Sequence, residues 1–148
     1  MLRIENCRDN QRGSTLVEFS IAATIFITAM FAVMEFGRAL WVHNALTDAA
    51  RRGARYASMH TQASSAQVKN VVVYGNPEGS GQAMLTNLST GIVNVDYNNF
   101  GLNNGTVSVS ITNYQFQFVI PLFGARITMP NYKTTLTAES AGLIPANV

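Results

Sequence analysis

"RGSTLVEFSIAATIFITAMFAVMEFGR", Arg12 to Arg38, decides the fold. Between Glu18 and Glu35 it runs for 16 residues, Phe19 to Met34, without a charge. Sixteen helical residues rise about 24 Å, short of a hydrocarbon core of roughly 30 Å. Taking in Leu16, Val17, Phe36 and Gly37 gives a 22-residue segment, about 33 Å long as helix. That length spans a bilayer and leaves Glu18 and Glu35 near its two ends. An acid there reaches the interface at lower cost than at the centre. Trp41 follows one turn beyond Gly37, a common place for an interfacial anchor.

Three other readings of the run are weaker. A core helix of a soluble domain carries a polar stripe on its solvent side, whereas apolar residues occupy every face here. A cleaved secretory signal has a shorter apolar core and a small-residue cleavage site, and no clean A-x-A-like site follows. An interfacial helix needs a charged face, which is absent. Three Arg precede the segment (Arg3, Arg8, Arg12) and four follow it (Arg38, Arg51, Arg52, Arg55). The positive-inside count therefore does not choose an orientation.

Composition agrees with a membrane segment. Charged residues are 12% of the 148, about half the share of an ordinary soluble domain. The net charge is +2, which gives no support to nucleic-acid binding. Cys7 is the single cysteine. No intrachain disulfide is possible, so packing must hold the fold.

Beyond Gly37 the pattern changes. Ala39, Val42, Leu46, Ala49, Gly53 and Ala57 recur at spacings of three and four, a helical stripe. Asn44, Asp48, Arg51, Arg52 and Arg55 fall largely off it. The apolar helix is therefore expected to continue into water as an amphipathic one, from Ser14 to Ser58. The small residues of the stripe let another element approach closely, while each buried Ala contributes about 1 kcal/mol or less. The Arg51, Arg52 and Arg55 cluster reads as a solvated face, with anionic lipid or a partner's acids as the other option.

The C-terminal half reads with a period of two. Val71 to Tyr74 is a β-prone run before the turn-rich "GNPEGSG". Ile92 to Tyr97 puts Val93, Val95 and Tyr97 on one side. Thr106 to Thr112 alternates strictly, with Val107, Val109 and Ile111 facing one way. Gln115 to Val119 pairs Phe116 with Phe118, and Pro121 and Gly124 end it. Thr134 to Ala138 is a last strand. Four or five short antiparallel strands with one apolar face need a cover, and the small-residue stripe of the long helix suits that task. The expected class is α+β, a long N-terminal helix packed on a small antiparallel sheet.

The boundary of the apolar run carries a motif. Gly13 is followed by Ser14-Thr15-Leu16-Val17 and then Glu18-Phe19. This resembles the type IV prepilin signal, in which a membrane peptidase cuts after the Gly. "VEF" at 17–19, "EFGRAL" at 35–40 and "ALTDAARRGARYAS" at 45–58 resemble the TadE-like family, pilin-like minor components of tight-adherence (Flp) pili. The late "TTLTAESAGL", 134–143, is similar to that family's final strand but far less specific.

The resemblance implies a pilin-like fold and a role in pilus assembly. It implies a leader over 1–13, a transmembrane helix over 14–40, an amphipathic extension over 41–60 and an extracytoplasmic β-rich region over 61–148. It makes Gly13 and Ser14 the cleavage pair and Glu18 and Phe19 the peptidase and assembly determinants. Implied partners are the prepilin peptidase, other pilins or pseudopilins, the inner-membrane assembly platform and membrane lipid. The implied location is the bacterial cytoplasmic membrane, single-pass, with entry into the pilus.

Cleavage after Gly13 would free an α-amine on Ser14, mostly cationic at neutral pH since its usual pKa is about 8. Glu18 lies four residues later on about the same face. A neighbour's amine could meet it, and pairing offsets much of the cost of a carboxylate in low dielectric. The plainer reading is that Glu18 reaches toward headgroups. Glu35 and Arg38, three apart, can pair at the other end of the segment, either to soften the interface or to choose a partner.

Recognisable catalytic or metal chemistry is missing. His43 and His60 have no partner Cys and no zinc spacing. Gly75, Gly79 and Gly81 lack the Lys-Ser/Thr of a P-loop. The sequons at Asn87 and Asn104 occur often by chance. No cofactor, small-molecule substrate or enzymatic activity is expected. The rival of another class is a single-span protein whose outer domain binds a ligand and never assembles.

Overall fold

The Arg12–Arg38 stretch and the amphipathic pattern after it form one continuous helix. A computed structural model describes residues 9–99 (side chains from residue 13), 105–119 and 126–137. In it α1 runs Asp9–Ser58. No Pro interrupts this length, and Ala, Leu, Met, Glu and Arg favour helix throughout. The chain divides into two units, residues 1–38 and 39–148. The described part of the first unit is α1 alone.

The second unit opens with the rest of α1. A 3-10 turn at Gln62–Ser64 leads into α2, Ser65–Tyr74. Five strands follow: β1 Val93–Asn98, β2 Thr106–Ile111, β3 Gln115–Gln117, β4 Arg126–Thr128 and β5 Tyr132–Thr137. One antiparallel sheet has the order β1-β2-β5, and β3 and β4 pair by themselves. Val93 faces Ile111, and Ile111 faces Tyr132, so the apolar positions of three strands line up across the sheet.

Val42, Leu46, Ala49, Ala54 and Ala57 of α1 are buried with Val72, Val93, Val107, Val109 and Ile111 in one core. The stripe is as expected from its spacing, and it is wider than expected, since Ala50 and Ala54 are buried as well. Gly53 shows why the stripe is small. A Cβ there would overlap the Val72 Cγ2 methyl and come within 3.3 Å of Val109 Cγ1. The helix backbone rests against both α2 and the central strand at this point. His43 Nδ1 lies 2.9 Å from the Tyr132 hydroxyl, which ties α1 to β5.

The expected β run at Val71–Tyr74 is wrong: it is the last part of α2. Val68, Val71 and Val72 stand at i, i+3 and i+4 and are buried together with Val73. Burying that face outweighs the mild β preference of valine, which spans at most about 1 kcal/mol. Gly75 then ends the helix in a left-handed conformation, its N–H donating to Val71 O at 3.1 Å.

The other strands fall close to expectation. β1 buries Val93 and half-buries Val95 and Tyr97. β2 buries Val107, Val109 and Ile111, and also Ser108, because it is the central strand with a neighbour on each side. β5 begins two residues before Thr134. β4, three exposed residues, is too short to show alternation. Ala138, Pro121, Gly124 and most of the Asn/Gly-rich loop lie outside the described residues, as does the leader up to residue 8.

Candidate processing and assembly site

The Gly13–Ser14 bond sits inside α1, and a Cβ built at Gly13 meets nothing within 4 Å. Every residue from Gly13 to Ser20 is exposed. Glu18 and Phe19 therefore both point into open space. Glu18 forms no ion pair or hydrogen bond with any described residue. Ser14 and Glu18 are one helical turn apart, which places the bond and the acid side by side on the helix surface.

The apolar side chains that follow are left uncovered by the described residues. Phe19, Phe26, Val33 and Met34 are each at least 65% exposed, and none of the most apolar 18-residue window is buried. A soluble core helix would hide such a surface. The helix also hides its own polar groups. Ser20, Thr24 and Thr28 donate their hydroxyls to the carbonyls of Leu16, Ser20 and Thr24 at 2.7–2.8 Å. With those bonds made internally, no hydroxyl proton is left unsatisfied toward hydrocarbon. Reading the segment as apolar on every face missed this row. Its signal was the four-residue spacing of Ser20, Thr24 and Thr28.

At the far end Glu35 and Arg38 do pair. Arg38 Nε lies 3.2 Å from one carboxylate oxygen, and its Nη2 reaches the other. The contact is a two-pronged fork, the stronger form of a carboxylate–guanidinium bond. Glu35 is buried, at 7% exposure. It is thus a held charge, unlike Glu18.

His43 and His60 are each occupied structurally. His43 meets Tyr132, while His60 stacks on Tyr56 at 3.9 Å and lies 2.8 Å from that residue's carbonyl oxygen. Among the described residues no three His, Cys, Asp or Glu side chains converge. Burial pushes the Tyr132 hydroxyl pKa up, with Tyr114 adding to the effect. The Tyr132 hydroxyl keeps its proton at neutral pH and shares a hydrogen bond with His43 Nδ1, the direction of which follows the imidazole tautomer.

Among the described residues one helix is long and apolar enough to cross a membrane, which is consistent with a single-pass membrane protein. Residues 13–55 match the family model of TadE-like proteins. The match begins at Gly13, ends in the last turns of α1, and covers less than a third of the 148 residues. The match likens this segment of the chain to TadE-like proteins. No curated protein and no solved structure gave a match.

Proposed function

We propose that this chain is a minor pilin or pseudopilin of a Tad (Flp) type IV pilus. The observation that carries the reading is Glu18: an exposed carboxylate without a partner among the described residues, about one turn after Gly13, at the start of an unburied apolar helix. A lone acid in that place is costly in lipid, and it becomes useful when a second chain supplies the cation.

In this account the prepilin peptidase cuts between Gly13 and Ser14 on the cytoplasmic side. Gly13 lowers the cost of unwinding the helix around the bond, by about 1 kcal/mol relative to Ala. The new Ser14 amine of one subunit then meets Glu18 of its neighbour, and the pair selects one axial register. Phe19 packs beside it. Residues 14–40 hold the chain in the cytoplasmic membrane, 41–60 carry the helix outward, and 61–148 form the extracytoplasmic part. The assembly platform draws the subunit from lipid into the filament. The role is structural, with no enzymatic step, no nucleic acid and no small-molecule substrate.

The test is Glu18→Ala and Glu18→Gln in cells that make the pilus. Membrane level should hold while incorporation into sheared pili falls at least about tenfold, the equivalent of 1.4 kcal/mol. Unchanged incorporation would reject the Ser14–Glu18 pairing.

A further inference from the structure

Among the described residues, two cations on α1 stand without partners. Arg51 and Arg55 are exposed, four residues apart, and form no ion pair or hydrogen bond with the described residues. Like charges at that spacing weaken a helix by about 0.2–0.5 kcal/mol. Arg52 between them is engaged: its Nη1 meets Asp48 at 2.7 Å and its Nη2 meets Met84 Sδ at 3.0 Å. Arg55 lies in the last turn, where the helix dipole favours a cation. Arg51 has no such reason.

The same unit displays an acid without a partner. Glu78 is exposed and forms no ion pair or hydrogen bond with the described residues. It sits in the turn after α2, which is tied down on both sides of it. Asn76 Nδ2 donates to Ser80 O at 2.8 Å and Ser80 N donates back to Asn76 Oδ1 at 3.1 Å. Asn70 Nδ2 donates to Pro77 O at 3.0 Å. A tied turn loses little entropy on docking. Asp96, also exposed and without a partner among the described residues, lies in mid-strand opposite Ser108.

We infer that the Arg51–Arg55 face of α1 is an interface for a second copy of this chain, whose Glu78 enters between the two guanidinium groups. Charge complementarity selects the occupant. Arg51 follows Trp41 by ten residues, about 15 Å of helix rise. That exceeds the screening length of roughly 8 Å at physiological salt, so headgroups at the level of Trp41 are a poor alternative. The contact joins two different patches, Arg51 and Arg55 of one copy and Glu78 of the other. Its meaning for a filament rests on the pilin reading above.

Zero-length carbodiimide crosslinking of the full chain in membranes tests this. Arg51→Lys supplies the reactive amine, and mixing isotope-labelled with unlabelled chains separates links between copies from links within one. The expected product joins position 51 of one copy to Glu78 of another. Glu78→Gln should abolish it, and Arg55→Glu should lower its yield about fivefold, the scale of one exposed ion pair. Links only within one chain, links only to another protein's carboxylate, or a yield indifferent to Glu78→Gln would overturn the inference. A chain starting at Ser14 but giving no such link would sink this contact alone. The link in a chain that keeps Met1 would leave the contact standing and sink the pilin reading.

Discussion

Gly53 and Val72 share one contact: a single added Cβ on the glycine would overlap the valine's Cγ2 methyl. That touch sets how closely α1 lies against α2 and β2, and so how the β-containing unit is built on its helix. Gly53→Ala should destabilise the unit even though alanine is the better helix former. Overpacking costs about 1–3 kcal/mol, and the propensity gain returns at most about 1. Thermal unfolding of the detergent-solubilised chain should show a midpoint lower by a few degrees, and Gly53→Val should fall further. A raised midpoint for Gly53→Ala would contradict the close approach.

The Tyr132 hydroxyl and His43 Nδ1 share a hydrogen bond, and burial raises the tyrosine's pKa. Burial raises Tyr97 likewise. A raised phenol means that the folded chain keeps a proton the unfolded chain gives up first. The resulting stability is fully present below about pH 10, the ordinary tyrosine value, and is lost as pH rises through the folded value. Unfolding midpoints should fall above pH 10, and Tyr132→Phe should flatten that fall. The same variant should cost about 0.5–1.5 kcal/mol at neutral pH for the lost hydrogen bond. An alkaline limb identical in wild type and variant would remove Tyr132 from the account.

Arg38→Ala strips a buried carboxylate of its forked partner. Leaving Glu35 buried should cost about 1–3 kcal/mol or more. Removing both charges should cost less than the sum of the two single removals, because the two groups share one fork. A double-mutant cycle on thermal midpoints reads this directly, and simple additivity of Glu35→Ala and Arg38→Ala would mean that the two groups do not depend on each other.

The hydroxyl row makes a different kind of forecast. Ser20, Thr24 and Thr28 already spend their protons on the helix's own carbonyls. Thr24→Val should therefore leave resistance to carbonate extraction from membranes unchanged. Loss of membrane retention in that variant would show that the hydroxyl serves another partner.

Much of this was legible before any coordinates. The charge-free run and the small-residue stripe announce α1, and the strict alternation of Thr106–Ile111 announces the central strand. Val71-Val72-Val73 misled because three adjacent β-branched residues look like strand. The helical spacing appears only when Val68 is read with Val71 and Val72. Ala50 and Ala54 escaped the stripe because two other elements, α2 and the sheet, share that side of α1, which widens its buried face. No local pattern marks β4, whose three exposed residues depend on pairing with β3. At the boundary, the sequence names Gly13, Ser14 and Glu18 by motif. That Glu18 has no partner among the described residues emerges only from the fold.

The central claim is that Gly13–Ser14 is a processing site whose cleavage makes the positive end that Glu18 requires. The N-terminal residue of the membrane-bound protein, determined by mass spectrometry from cells that make the prepilin peptidase, tests it most directly. The account predicts a chain starting at Ser14 in those cells and a chain keeping residues 1–13 when the peptidase is deleted. An intact Met1 in cells with active peptidase, or a start beyond the apolar run, would contradict it.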